Sequence, residues 1–251
     1  MWNPFKKQSD PTSYFVEVAA AKRWIHADEW LKVLAIIGDF IESPLIKLDS
    51  NDQLRKRSKG PQKDADYIVR EFIKGEYSIF GEFADHQGFT IECAKNDESY
   101  SRLGVNCIEL RQGATFKDFL AQMAKALGAF YGRLDTMDNH RAWKKKRAQW
   151  GIDYCTELPG VAHLTFFNHA LARFFGIEKF AALDASWIEN GVVVTVPTQP
   201  LRQRLKRAEA AESLLGANSF VNHRKLTPFE KTPGKYLPPL SHLRKPGLST
   251  P

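Results

Sequence analysis

Apolar positions change their spacing several times along the chain, and each change marks an element. Tyr14, Phe15, Val16 and Val18 are strand formers and predict a short strand over 14–18. Trp30, Leu34, Ile37 and Ile41 then recur at helical steps, predicting a helix over 28–41 that Asp28 caps and Pro44 ends. A polar loop fills 49–63. A second helix over 64–74 carries Tyr67, Ile68, Phe72 and Ile73 on its apolar side. Three strands follow, at 77–83, 89–94 and 105–110. The turn Asp85-His86-Gln87-Gly88 joins the first two, which suggests an antiparallel meander.

Thr115 caps the next helix, over 115–131, where Phe116, Phe119, Leu120, Met123 and Leu127 form one face. A further helix is expected over 136–150. An apolar strand covers 161–167, and a short helix ends at Gly176. Asn190-Gly191 lies between two strand-like runs and predicts a hairpin. Leu201, Leu205, Ala208, Glu212 and Leu215 then line one side of a helix over 201–215. The reading is an α+β domain over 1–221, an antiparallel sheet with flanking helices and 1–132 and 133–221 as candidate related halves. The six prolines of 222–251 predict an extended basic tail.

Charge changes this picture little. The net charge is +7, but the tail holds six Lys or Arg against one acid, so the body carries only 30 basic and 28 acidic residues. That balance does not point to a dedicated nucleic-acid-binding domain. Nucleic acid is the alternative reading, carried by the basic tail and by the helix 143–150, where Trp143 and Trp150 flank Lys144-Lys145-Lys146-Arg147. Arg55-Lys56-Arg57-Ser58-Lys59-Gly60-Pro61, the most basic part of the polar loop, reads instead as a solvated charge run. The three cysteines, Cys93, Cys107 and Cys155, form no close pair, so neither a disulfide framework nor a zinc site is expected. No secretory pattern follows Lys6 and Lys7, and no apolar run is long enough for a bilayer. A cytoplasmic, membrane-independent protein is expected.

The search for reactive chemistry finds only weak patterns. No Walker loop, no GxGxxG, no HExxH and no GxSxG occurs. Asp85, Glu92 and Lys95 have the residue types of a metal-dependent nuclease, but a gap of two between Glu92 and Lys95 points them to opposite faces of a strand. His163 and His169 near Cys155 have no activating context, and Asp135, Asp138 and His140 read as residues at a helix start. No enzyme, cofactor or metal is expected.

One stretch carries a resemblance. Leu158-Pro159-Gly160, Phe166-Phe167-Asn168, Phe174-Phe175-Gly176, the hairpin, Pro197-Thr198-Gln199-Pro200 and the closing Leu215-Gly216-Ala217-Asn218-Ser219-Phe220 together resemble bacterial immunity proteins of polymorphic-toxin systems, nearest the immunity protein 52 type found beside type VI secretion toxins. The chain departs from that type at Ala217 and Asn218, where acids are expected, and in its pI of about 9.2. The resemblance implies stoichiometric binding and blocking of one cognate toxin. Aromatic and arginine side chains are the usual anchors of such contacts. Trp143, Trp150, Trp187, Arg202, Arg204 and Arg207 are therefore the candidate partner-binding residues.

Overall fold

A computed structural model describes residues 13–84, 87–94, 99–107, 110–147, 152–197, 201–221 and 234–244. In chain order the elements are β1 (Tyr14–Ala20), α1 (Ala27–Ile41), β2 (Leu45–Asp49), α2 (Pro61–Ile73), β3 (Ser78–Phe83), β4 (Gly88–Glu92), β5 (Ser101–Cys107), α3 (Phe116–Leu127), β6 (Tyr131–Thr136), α4 (Met137–Arg147), β7 (Leu164–Asn168), α5 (His169–Phe175), β8 (Ala185–Ile188), β9 (Gly191–Thr195), α6 (Leu201–Gly216) and α7 (Leu240–Leu243). The strands form one sheet in the order β2-β3-β4-β5-β1-β6-β7-β9-β8, with every neighbouring pair antiparallel. The class is α+β. Both candidate halves of the sequence contribute to this one sheet, and the boundary between them at 132/133 falls inside β6.

β1 sits in the middle of the sheet, and its sequence shows why it fits there. Val16, Val18 and Ala20 face one way, into a core built with Trp30, Ile37 and Phe40 of α1, Ile68 and Phe72 of α2, and Phe119 and Leu127 of α3. Ala19 faces the other way, into a second core with Tyr131, Phe167, Phe175, Phe180, Leu215 and Phe220. A strand covered on both faces has no reason to alternate apolar with polar residues. The first core spans the whole helix-covered face. The second covers the opposite face toward β7 and β9; over β4 and β5 on that side Thr90, Glu92, Arg102 and Gly104 are half-buried.

Local signals set most of the boundaries. α1 begins at Ala27, with His26 at the N-cap position and Asp28 inside the first turn, so Asp28 favours the helix dipole without capping it. α2 opens on Pro61, which needs no backbone partner there. Thr115 caps α3 by accepting the Asp118 amide at 3.1 Å. Gly128 ends α3 in the left-handed conformation at φ 59°, and the chain turns there into β6, where the sequence suggested more helix. β2 was likewise unforeseen. Residues 56–58 pair along its outer edge: the Leu48 amide donates to the Lys56 carbonyl and the Ser58 amide to the Ile46 carbonyl. This edge is covered by its own loop. Residues 234–244, in the stretch expected as tail, bury Leu237, Leu240 and Leu243 in the second core.

The ends of the 158–220 stretch are tied together. Leu158 and Phe220 form a parallel bridge, with Leu158 donating to the Ser219 carbonyl and Val221 to the Leu158 carbonyl, both at 2.8 Å. Tyr131 donates its hydroxyl to the Gly160 carbonyl at 2.6 Å, and Glu212 of α6 accepts the Val161 amide at 3.0 Å. The Leu-Pro-Gly segment is thus a clasp between sheet and helix.

One glycine gives a direct test of the first core. A Cβ on Gly81 would stand 2.3 Å from the ring of Phe89, its cross-strand neighbour. Gly81→Val should lower unfolding free energy by about 1–3 kcal/mol, because Phe89 must leave its place against Phe83. Denaturant unfolding measures this; an unchanged midpoint would mean that the ring finds room elsewhere.

Candidate functional site

On the second face, the part where β4 and β5 run beside β1, itself covered there by α4, is lined by charge. Register places Glu17 of β1 directly opposite Arg133 of β6, and Glu92 of β4 opposite Arg102 of β5. Each oxygen of Glu17 takes one arginine: Arg133 Nε donates to Oε2 at 2.7 Å and Arg102 Nη1 to Oε1 at 3.0 Å. Arg102 also donates to Glu92. Four charges therefore cross four strands as one alternating ladder.

Aromatic rings wall this ladder. The Arg133 guanidinium lies 4.2 Å from the ring centroid of Trp143 on α4, and Phe15 packs tilted on His140 at 4.1 Å. Tyr77 and Tyr100 stand on the far side, with Tyr100 donating to the Ile152 carbonyl at 3.0 Å. Together they enclose an open pocket of about 480 Å³. Gly104 keeps its floor low, since a Cβ there would meet the Phe15 ring at 3.2 Å.

The electrostatics fix the charge state. Burial works to raise the Glu17 pKa, but Arg133 and Arg102 outweigh it and hold the carboxyl below the usual carboxylate range. Burial likewise works against the charge on Arg133, and Glu17 more than restores it. Glu17 stays ionised at neutral pH and is a poor general base there. What the pocket offers is a rigid pattern of alternating charge and ring faces.

Arg204 extends the network behind the pocket. It reaches from α6 to Asp135 of β6 and is only 4% exposed. Asp135 also accepts the Thr136 amide at 2.9 Å and the Asn139 side chain at 3.0 Å, so it fastens the start of α4 as the sequence suggested. Burial comes first among the causes that lower the Arg204 pKa, to about 10, followed by the nearby charge of Arg133.

The six candidate partner residues do not converge. Trp143 lines the pocket. Trp187 lies on the edge strand β8, 46% exposed and stacked on His169. Arg204 is interior, Arg207 is exposed, and Arg202 falls in the first turn of α6. Trp150 lies outside the described residues. Glu17, Arg102 and Arg133 went unread in the sequence; their one signal was a charge set inside an otherwise apolar strand.

The weaker patterns resolve structurally. Glu92 is paired with Arg102, while Asp85 and Lys95 lie outside the described residues. His163 donates Nδ1 to the Val196 carbonyl at 2.6 Å, and His169 donates Nε2 to the Glu189 carbonyl at 3.0 Å. Burial and then Asp153 push the Cys155 thiol up to about 12, which leaves almost no thiolate near neutral pH. Among the described residues no three His, Cys, Asp or Glu side chains cluster as metal ligands, and no helix is long and apolar enough to cross a membrane.

No protein-family model matches this chain, and no curated protein matches it. Among solved structures it is similar to the Pseudomonas aeruginosa T6SS protein PA0821, at 12% identity and a TM-score of 0.49, over 88% of this chain and 92% of that one.

Proposed function

We propose that this protein is an immunity protein, which binds a cognate toxin of a type VI secretion system and blocks it by occupancy in the cytoplasm. The observation that carries the reading is the charge-lined pocket on the sheet face formed by β4, β5 and β1. A pocket with fixed, mutually neutralised charges and aromatic walls suits recognition of a complementary surface more than proton transfer. The sequence resemblance of 158–220 supplies the class of partner. Neutralisation needs only a complementary patch of roughly 800 Å² on each protein.

Trp143 is the anchor of this interface, because it is half-buried, stacked over a buried arginine and placed at the pocket mouth. Trp143→Ala should cost about 2 kcal/mol of binding, a loss of roughly 30-fold. The test is co-expression with the product of the neighbouring gene. A one-to-one complex and restored growth support the proposal, and weaker rescue by Trp143→Ala places the contact at the pocket. A neighbour that forms no complex, or kills equally with and without this protein, defeats it.

A further inference from the structure

The basic segment 55–59 reads in sequence as a solvated charge run, but it is built into the fold. Its backbone is zipped to β2, and two buried acids hold it from beneath. Asp49, 3% exposed, accepts the Arg55 amide at 3.2 Å and pairs with Lys56 at 3.0 Å. Asp64, 4% exposed, accepts the Lys59 amide at 2.9 Å and the Ser58 hydroxyl at 2.5 Å. These carboxylates are spent inside the loop, while Arg57, Lys59 and Lys63 point outward, exposed and with no acidic partner among the described residues. Between this loop and α2 runs a groove of about 720 Å³. Glu71 at its wall is already tied to Arg70 and Lys74, which leaves Asp66 as the exposed acid against the outward cations.

We propose that this groove is a second docking site, which takes an acidic polypeptide segment of the protein partner. The proposal rests on the reading of this chain as a protein binder and names the chemistry of one contact. Charge complementarity selects an anion, and two observations select a polypeptide over a nucleic acid. The groove's aromatic ring, Tyr67, has Lys56 at 5.0 Å and Arg70 at 5.3 Å from its centroid, and its hydroxyl binds the Ser50 amide and Asp49. It is not free to stack a base. The other basic helices, α4 and α6, lie on the opposite face of the sheet from α2, so among the described residues they do not extend this groove into a continuous cationic track for a phosphate backbone.

The test uses the full chain, a fluorescein-labelled polyglutamate peptide and a DNA duplex, read by anisotropy at low and moderate salt. The peptide should bind, with affinity falling as salt rises. The triple variant R57E/K59E/K63E should lose about tenfold or more, and R57Q/K59Q/K63Q a smaller share. Reversal of three exposed cations elsewhere, K32E/K206E/K235E, should change affinity by less than about twofold. Thermal melts of each variant confirm the fold. Equal peptide binding by R57E/K59E/K63E overturns the site. So does duplex binding as tight as peptide binding and equally lost in that variant. Growth rescue by the wild-type chain with peptide binding unchanged in the variant would remove the groove and leave the immunity reading standing. Binding lost in the variant with no rescue would do the reverse.

Discussion

Replacing Glu17 with alanine is expected to destabilise the protein by about 3–5 kcal/mol, because Arg133 would be left in the interior without its counter-charge. Arg133 is 5% exposed and Glu17 1%, so water replaces little of what is lost. Arg102 is half-buried and recovers part of its hydration. A double variant, Glu17→Met with Arg133→Met, should cost much less, since no charge then remains to be buried alone. The same pair sets an acid limit. The Glu17 pKa is lower in the folded chain than in the unfolded one. Its contribution is therefore complete above the ordinary carboxylate pKa and disappears as pH falls through the depressed folded value. Urea unfolding at neutral and acid pH should show Glu17→Ala losing less than the wild type over that acid range. Parallel pH curves would mean that Glu17 is not the group being protonated.

The second large effect is Phe167→Ala, expected to cost about 3–5 kcal/mol. Phe167 is fully buried and touches Tyr131, Phe175 and Phe180 at ring-centroid distances of 5.6–6.0 Å. It is the common neighbour of Tyr131 on β6, Phe175 on α5 and Phe180 beyond α5 in the second core, so its removal leaves a cavity that no one element can collapse to fill. Phe174 provides the contrast. It is 44% exposed, and Phe174→Ala should fall within about 1 kcal/mol of the wild type. Equal losses for both would show that the second core yields far more readily than its packing suggests.

Where a signal was local, the sequence carried it. The hairpin was legible from Asn190-Gly191, although its turn falls at Glu189 and Asn190 and Gly191 opens β9. That glycine is required by close approach as well, since a Cβ would stand 2.1 Å from the Phe167 carbonyl oxygen. α3 was legible from its cap and its repeat. β6 was not, because Arg133 and Asp135 look like surface residues beside a helix start. They are interior only because Glu17, 116 residues earlier, and Arg204 of α6 arrive to neutralise them. No spacing within a window of 15 residues encodes such a meeting. The candidate site was therefore hidden by the same long-range pairing that makes it. Trp143 was found because an aromatic beside cations is a local pattern; its partner Arg133 was not. The loop at 55–59 failed for the opposite reason: its charges were visible and read as solvated, while the role of Asp49 and Asp64 in ordering it was not.

The position of β1 bears on how the molecule comes to exist at all. It is the earliest strand of the sheet to be synthesised, yet its hydrogen-bonding neighbours begin at Ser101 and end at Thr136. At roughly 5–20 residues per second, it waits on the order of ten seconds outside the ribosome before both sides can be paired. Over that interval Val16, Val18 and Ala20 are an unprotected β-prone segment, a natural substrate for a holding chaperone. Chains interrupted before β6 can pair β1 with β5 only, leave its other edge open and should go to proteolysis.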